Sequence, residues 1–188
     1  MKQSANSGRR SRQLLRKGIL LCVLWSATGI AVTAADPNSE ESVKAAFVLR
    51  FAGYVEWPAQ AVPERTFTIA VLGANEVAVR LQTLAAGRAI MNRPVQVRRI
   101  ADIQDGADAQ IVYVGADRRP DLRTLLATLR DRRILAISSE EEGLEAGSTI
   151  NLLVADRHVR FEVSLQAARE ARLRLSSELL ALAVRVQR

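Results

Sequence analysis

Cysteine and histidine are nearly absent from this 188-residue chain, which has Cys22 and His158 and no others. Cys22 lies in a stretch read below as a leader, so the remaining chain has no thiol for a disulfide or a thiolate nucleophile. A zinc site draws most of its ligands from Cys and His, and one His argues against it. Gly-x-Ser-x-Gly, the elbow that presents a hydrolase serine, does not occur. Neither do G-x-G-x-x-G or G-K-[ST], the glycine-rich phosphate cradles. Glu140-Glu141-Glu142 lacks the alternating oxygen ligands of a calcium loop and reads as a solvated loop. No cofactor and no metal are implied. Aromatic residues make up only 4% of the chain, so a local concentration of them carries weight.

Acidic residues are missing from the first 35 positions, where Lys2, Arg9, Arg10, Arg12, Arg16 and Lys17 form a basic start. An apolar run from Ile19 to Val32 follows, then the small residues Thr33-Ala34-Ala35 before Asp36-Pro37. This is the pattern of a secretory signal peptide over 1–35. The run is short for a membrane span, which needs about 20 apolar residues. Six of the 27 basic residues belong to the leader, leaving 21 against 20 acidic ones, a net charge of about +1. The high isoelectric point therefore belongs to the leader, and the rest has no electrostatic footprint for nucleic acid. The expected destination is the periplasm, with one domain over 36–188 that must stand on its hydrophobic core.

The segment Ser42 to Pro58 organises that domain. Val43, Phe47, Phe51 and Tyr54 follow helical spacing, and Ala46, Val48, Ala52 and Val55 widen the apolar surface. Such a helix must be covered on more than one side. Asn38 and Glu41 read as a capping box at its start, and Pro58 as its stop. After a connector through Pro63 and Glu64-Arg65, Phe67–Leu72 is a short apolar run ended by Gly73, as in a strand buried on both faces. A helix with Val77, Leu81, Leu84 and Ala85 on one side follows. Asn92-Arg93-Pro94 reads as a turn, with Val95 and Val97 alternating beyond it. Ile111–Val114 and Ile134–Ile137 are further strands, and Pro120 suits the first turn of a helix between them.

From Thr149 the rhythm changes. Ile150–Val154 and Val159–Val163 flank Ala155-Asp156-Arg157-His158 too closely for a helix, so they form an antiparallel hairpin. Leu165–Ala171 and Ser176–Val186 read as helices, with Ser176 as an N-cap. The pattern predicts a three-layer α/β domain with a mostly parallel sheet, a C-terminal antiparallel hairpin and terminal helices.

Two stretches at opposite ends resemble the YfiR family of periplasmic proteins. One is Lys44-Ala45-Ala46-Phe47 through Phe51, Tyr54-Val55 and Trp57-Pro58. The other is Gly147-Ser148-Thr149-Ile150-Asn151-Leu152 with Val159-Arg160-Phe161-Glu162-Val163, continuing through Ala167-Ala168 and Leu173 to Ser176-Ser177 and Leu179–Ala183. Ala109–Val114 sits where the family has its central strand. The family often has a Cys where Ala109 stands, so redox behaviour does not carry over, and a Gly where Arg172 stands. The resemblance implies a non-catalytic regulator that binds the periplasmic sensory part of an inner-membrane diguanylate cyclase and lowers cyclic-di-GMP signalling. It also implies an OmpA-like outer-membrane lipoprotein that sequesters the regulator, and it leaves room for a homodimer.

Three sets of residues invite functional readings. Tyr54 and Trp57 are either core or the aromatic anchor of an interface, with Glu56 at its flank and Arg157, Arg160 and Glu162 on the hairpin as a polar rim. A hairpin at a sheet edge would add free backbone groups. Gly73 opens a strand-to-helix turn of the kind that binds small anions, which gives a small-ligand module as the alternative. His158 with Asp156 and Ser176 or Ser177 would make a hydrolase, against which stands a solvated turn histidine.

Overall fold

The computed structural model describes residues 38–58, 65–115 and 122–188. The expected leader, Pro63, Glu64 and Pro120 lie outside the described residues.

Helix α1 spans Glu40–Phe51. Its cap is Ser39 rather than Asn38: Ser39 is extended, and its Oγ accepts from the Ser42 N–H at 3.2 Å. The helix tightens into a 3-10 turn, Ala52–Tyr54, and becomes strand β1, Val55–Glu56. It therefore ends before Trp57-Pro58. Pro58 restrains only its neighbour, whereas β1 is held by antiparallel pairing with β9, Arg174–Leu175, and by the Ser176 N–H donating to the Tyr54 carbonyl at 2.9 Å. The deepest side of α1 is Ala45, Val48 and Phe51. Phe47 and Tyr54 are only partly covered.

The central sheet has eight strands. Strands β2 (Phe67–Leu72), β4 (Arg93–Ile100), β5 (Ile111–Val114) and β6 (Leu135–Ser138) run parallel in the order β4-β2-β5-β6. β7 (Ile150–Ala155) joins β6 in parallel, and β8 (His158–Ser164) returns antiparallel to β7. A short β3 (Ala89–Ile90) lies antiparallel beyond β4. β2 is buried along its whole length. Phe67, Ile69 and Val71 face the core shared with α1 and α2 (Asn75–Ala85), while Ala70 and Leu72 face a second core. That second core takes Ile103 from a 3-10 turn, Leu126 from α3 (Leu122–Ala127) and Ala146 from α4 (Gly143–Ala146). The expected three layers are present.

Both hairpins turn through pairs of residues with positive φ, Met91-Asn92 and Asp156-Arg157. This is the backbone that matches the twist of two strands joined tightly. Arg93 and Pro94 thus belong to β4, not to the turn. At the C-terminus α5 is Leu165–Glu170, and α6 is only Ser177–Leu182. Ser176 caps α6 as expected, its Oγ accepting from Leu179 N–H. The expected helix to Val186 is wrong. Ala183 is already extended, and Arg185–Gln187 forms β10, parallel to β8. The β8 edge is therefore partly covered.

Arg172, the position singled out above, makes the bend after α5 without glycine. It has φ 56°, and α5 ends with Leu173 N–H donating to Ala168 C=O at 2.8 Å and Arg172 N–H to Arg169 C=O at 2.9 Å. This is a Schellman closure, which favours glycine at that position. A side chain in the left-handed region costs roughly 1–2 kcal/mol, part of which the greater chain entropy of glycine offsets. Arg172→Gly is expected to stabilise the protein by about 1 kcal/mol, a rise of roughly 2–4 °C in a thermal melt. A lower Tm would mean that the exposed arginine makes up for its backbone.

Candidate functional site

The sequence-predicted residues fall into two places. Tyr54, on the 3-10 turn after α1, lines a cavity of about 150 Å³ with Phe47, Arg50, Phe51, Phe161, Leu179 and Leu182. Glu56 is exposed beside it, 3.9 Å from the equally exposed Arg174, a pair of little energetic weight. Trp57 is only 6% exposed, and its ring meets Phe67 edge to face at 5.3 Å. It is a core residue that supports this end of α1 from within.

On the hairpin, Arg157 sits in the turn and Arg160 is exposed. Glu162 accepts from Arg185, with Nε to Oε1 at 3.1 Å, and Arg185 also donates to Glu145 Oε1 at 2.7 Å. That hydrogen bond holds the Glu145 carboxyl below its ordinary value. Phe161 packs on Phe51 at 5.0 Å and on Phe47 at 5.8 Å, so it points toward α1. Alternation along β8 sends Arg160 and Glu162 to the opposite face of the sheet. The structure therefore separates Tyr54 and Glu56 from Arg160 and Glu162.

Sequence reasoning missed the apolar residues that keep company with Tyr54. Leu182, which shares that cavity, is 65% exposed; farther along the chain Val184 is 55% exposed. Leu182 was expected on the apolar side of the terminal helix, and Val184 was not singled out. The alternation Val184-Arg185-Val186-Gln187 was the available signal that the helix had already ended.

A second site lies at the C-terminal ends of β2 and β5. The strand order reverses there, since the chain passes from β2 to β4 on one side and to β5 on the other. Open α/β sheets bind ligands at such a switch point. Gly73 turns with φ 62°, and a Cβ on Gly115 would run into the Gly73 carbonyl and Ala74. The result is a cleft of about 430 Å³ whose lining includes Glu41, Lys44, Asn75, Tyr113 and Ser139. Three of its polar groups are already engaged: Lys44 pairs with Glu40, and Tyr113 Oη donates to Ser139 Oγ at 2.8 Å.

Burial pushes the Tyr113 phenol up to about 12, against a smaller opposing effect of the Ser139 hydrogen bond. The folded state thus holds the phenolic proton more tightly than the unfolded chain, whose phenol titrates near pH 10. Stability from this group is complete below pH 10 and is lost as pH rises toward 12, by up to about 3 kcal/mol. Of the two tyrosines, Tyr113 is expected to ionise late in an absorbance titration, and Tyr113→Phe to remove part of the alkaline loss of stability.

His158 opens β8 just after the turn, its Nδ1 2.7 Å from the backbone oxygen of Asp156 two residues before it. Ser176 Oγ is occupied as the α6 cap. The described residues do not assemble a triad from them.

A family model described as YfiR/HmsC-like matches residues 41–184. No curated protein matches the chain. Among solved structures, a conserved domain protein from Vibrio cholerae O1 biovar El Tor is similar at 10% identity and TM-score 0.49, over 68% of this chain and 57% of that one. An ABC domain in complex with L-Trp from Streptococcus pneumoniae is similar at 11% identity and TM-score 0.47, again over 68% and 57%. The chain spans little more than half the length of either.

Proposed function

Because the chain belongs to the YfiR/HmsC-like family, whose members are periplasmic regulators of the diguanylate cyclase pathway, we propose that it acts by binding another protein. In this reading residues 1–35 are cleaved on export, and the domain over 36–188 holds the sensory part of an inner-membrane diguanylate cyclase in its inactive state. The observation that carries it is the apolar lip of half-buried Tyr54 and exposed Leu182, both on the lining of one cavity. Exposed aromatic and aliphatic side chains with a charged surround suit a protein contact. Glu56 flanks this lip, while Arg160 and Glu162, on the opposite face of the sheet, form with Arg157 a separate charged patch for the partner. Repression follows if the inactive sensory domain is bound more tightly than the active one. An OmpA-like lipoprotein that takes the same lip would release the cyclase.

The test is cyclic-di-GMP synthesis by membranes containing the cyclase, with the purified regulator added. Wild-type protein is expected to suppress synthesis. Tyr54→Arg, which places a charge on the lip without entering the core, is expected to raise the concentration needed by about 30-fold, the size of an interface hot spot. Equal suppression by the variant would remove the lip from the proposal. The switch-point cleft supports a second reading, a small-ligand module. A stoichiometric small molecule retained by wild-type protein but not by Gly115→Val would favour it.

A further inference from the structure

We propose that the outer edge of β4 is a docking site for an extended acidic segment of a partner protein, which adds to the sheet as a further strand. β4 has eight residues, but β3 pairs with only Arg93 and Pro94. The Val95 N–H also points outward, reaching the Arg88 carbonyl at 3.1 Å. Alternation then directs the N–H and C=O of Val97 and Arg99 outward, where no described residue meets them. Unpaired edges of this kind are templates for strand addition.

The charges select the occupant. β4 carries Arg93, Arg98 and Arg99 and no acidic residue. Arg98 is already engaged on one face of the sheet, donating to the Asp105 carbonyl at 2.8 Å and pairing with Asp108. Arg93 and Arg99 alternate to the other face, with Val95 and Val97, which pack against the core beneath α2. Helix α2 contributes Arg80. Among the described residues, no acidic side chain pairs with Arg80, Arg93 or Arg99. Moreover, Arg80 Nε and Arg93 Nη1 are shielded from solvent and have no acceptor. Shielded guanidinium N–H groups without acceptors are unfavourable, and arriving carboxylates relieve them. A second copy of the chain would bring β4 against β4 and place like charges together, which opposes pairing. An extended segment with carboxylates at alternate positions supplies backbone partners for Val97 and Arg99 and anions for the arginines on the α2 side.

This surface is separate from the Tyr54 lip, and its test needs no cyclase, so its failure leaves the proposed function standing. The probe is a capped peptide as long as β4 that alternates Glu and Val, compared with Lys–Val and Gln–Val counterparts. Amide hydrogen exchange at Val97 and Arg99 is expected to slow by about tenfold or more with the Glu–Val peptide, less at high salt, and not at all with Lys–Val. Val97→Pro removes an outward donor while leaving the β2 ladder intact, a position where proline is tolerated, and it is expected to abolish the effect. Should that variant not fold, Arg99→Glu is exposed enough to test the charge, and it is expected to weaken Glu–Val binding and admit Lys–Val. No slowing at millimolar peptide, equal slowing by all three peptides, or full binding by both variants would overturn the proposal. A dimer in sedimentation that Val97→Pro dissolves would overturn it too, by assigning the edge to self-pairing.

Discussion

Replacing Gly143 with alanine is expected to destabilise the protein by about 3 kcal/mol or more, a fall of roughly 10 °C in Tm. The reason is a buried polar knot between β6, α4 and β7. Ser138, fully buried at the end of β6, donates to Asn151 Oδ1 at 2.6 Å and shares a second hydrogen bond with Ser148 Oγ at 3.1 Å. Gly143 lies against this knot, and a Cβ there would strike both Ser138 Oγ and Asn151 Oδ1. Neither atom can withdraw without leaving a buried polar group unpaired, which adds to the steric cost. The backbone cannot shift freely either. Gly143 N–H donates to the Glu140 carbonyl at 3.2 Å, and its own carbonyl accepts from Ser148 N–H at 3.0 Å. Gly53 provides the control, because nothing lies within 4 Å of a Cβ placed there. Gly53→Ala is expected to change Tm by no more than about 2 °C. Similar melting curves for the two alanine variants would show that the knot yields.

What could be read from the sequence followed from strong local patterns. Phe67–Leu72 had no polar face and could only be a central strand, as β2 is. The spacing between Val154 and Val159 excluded a helix, so the hairpin was forced. Ser176 named its own helix start. The resemblance flagged Arg172, and its left-handed backbone is the physical content of that flag. What could not be read depended on partners distant in sequence. β1 exists only because Arg174–Leu175 lies beside it, and β10 only because β8 offers an edge. The candidate site was half legible for the same reason. Tyr54 was visible as a scarce aromatic, but its neighbours Phe161 and Leu182 come from a strand and a helix more than a hundred positions away. Glu162 was visible as a charge, but its engagement by Arg185 required β10.

Trp57→Ala is expected to cost about 3–5 kcal/mol, the usual penalty for emptying a large aromatic site in a core. The ring is buried against Phe67 beside the β1–β9 ribbon. Its loss would loosen the link between α1 and the C-terminal elements that carry Leu182. Loss of partner binding in this variant would therefore report unfolding rather than a missing contact. Trp57→Phe separates the two. It keeps an aromatic ring at the site and removes an indole N–H that has no acceptor. A buried donor without a partner contributes nothing favourable, so its removal offsets part of the lost packing, and the net change is expected within about 1 kcal/mol. If Trp57 acts only from within, Trp57→Phe retains both its melting temperature and its repression of the cyclase. If repression disappears while the melting curve stays in place, the indole itself reaches the partner, and Trp57 must be moved from the support of the lip to its surface.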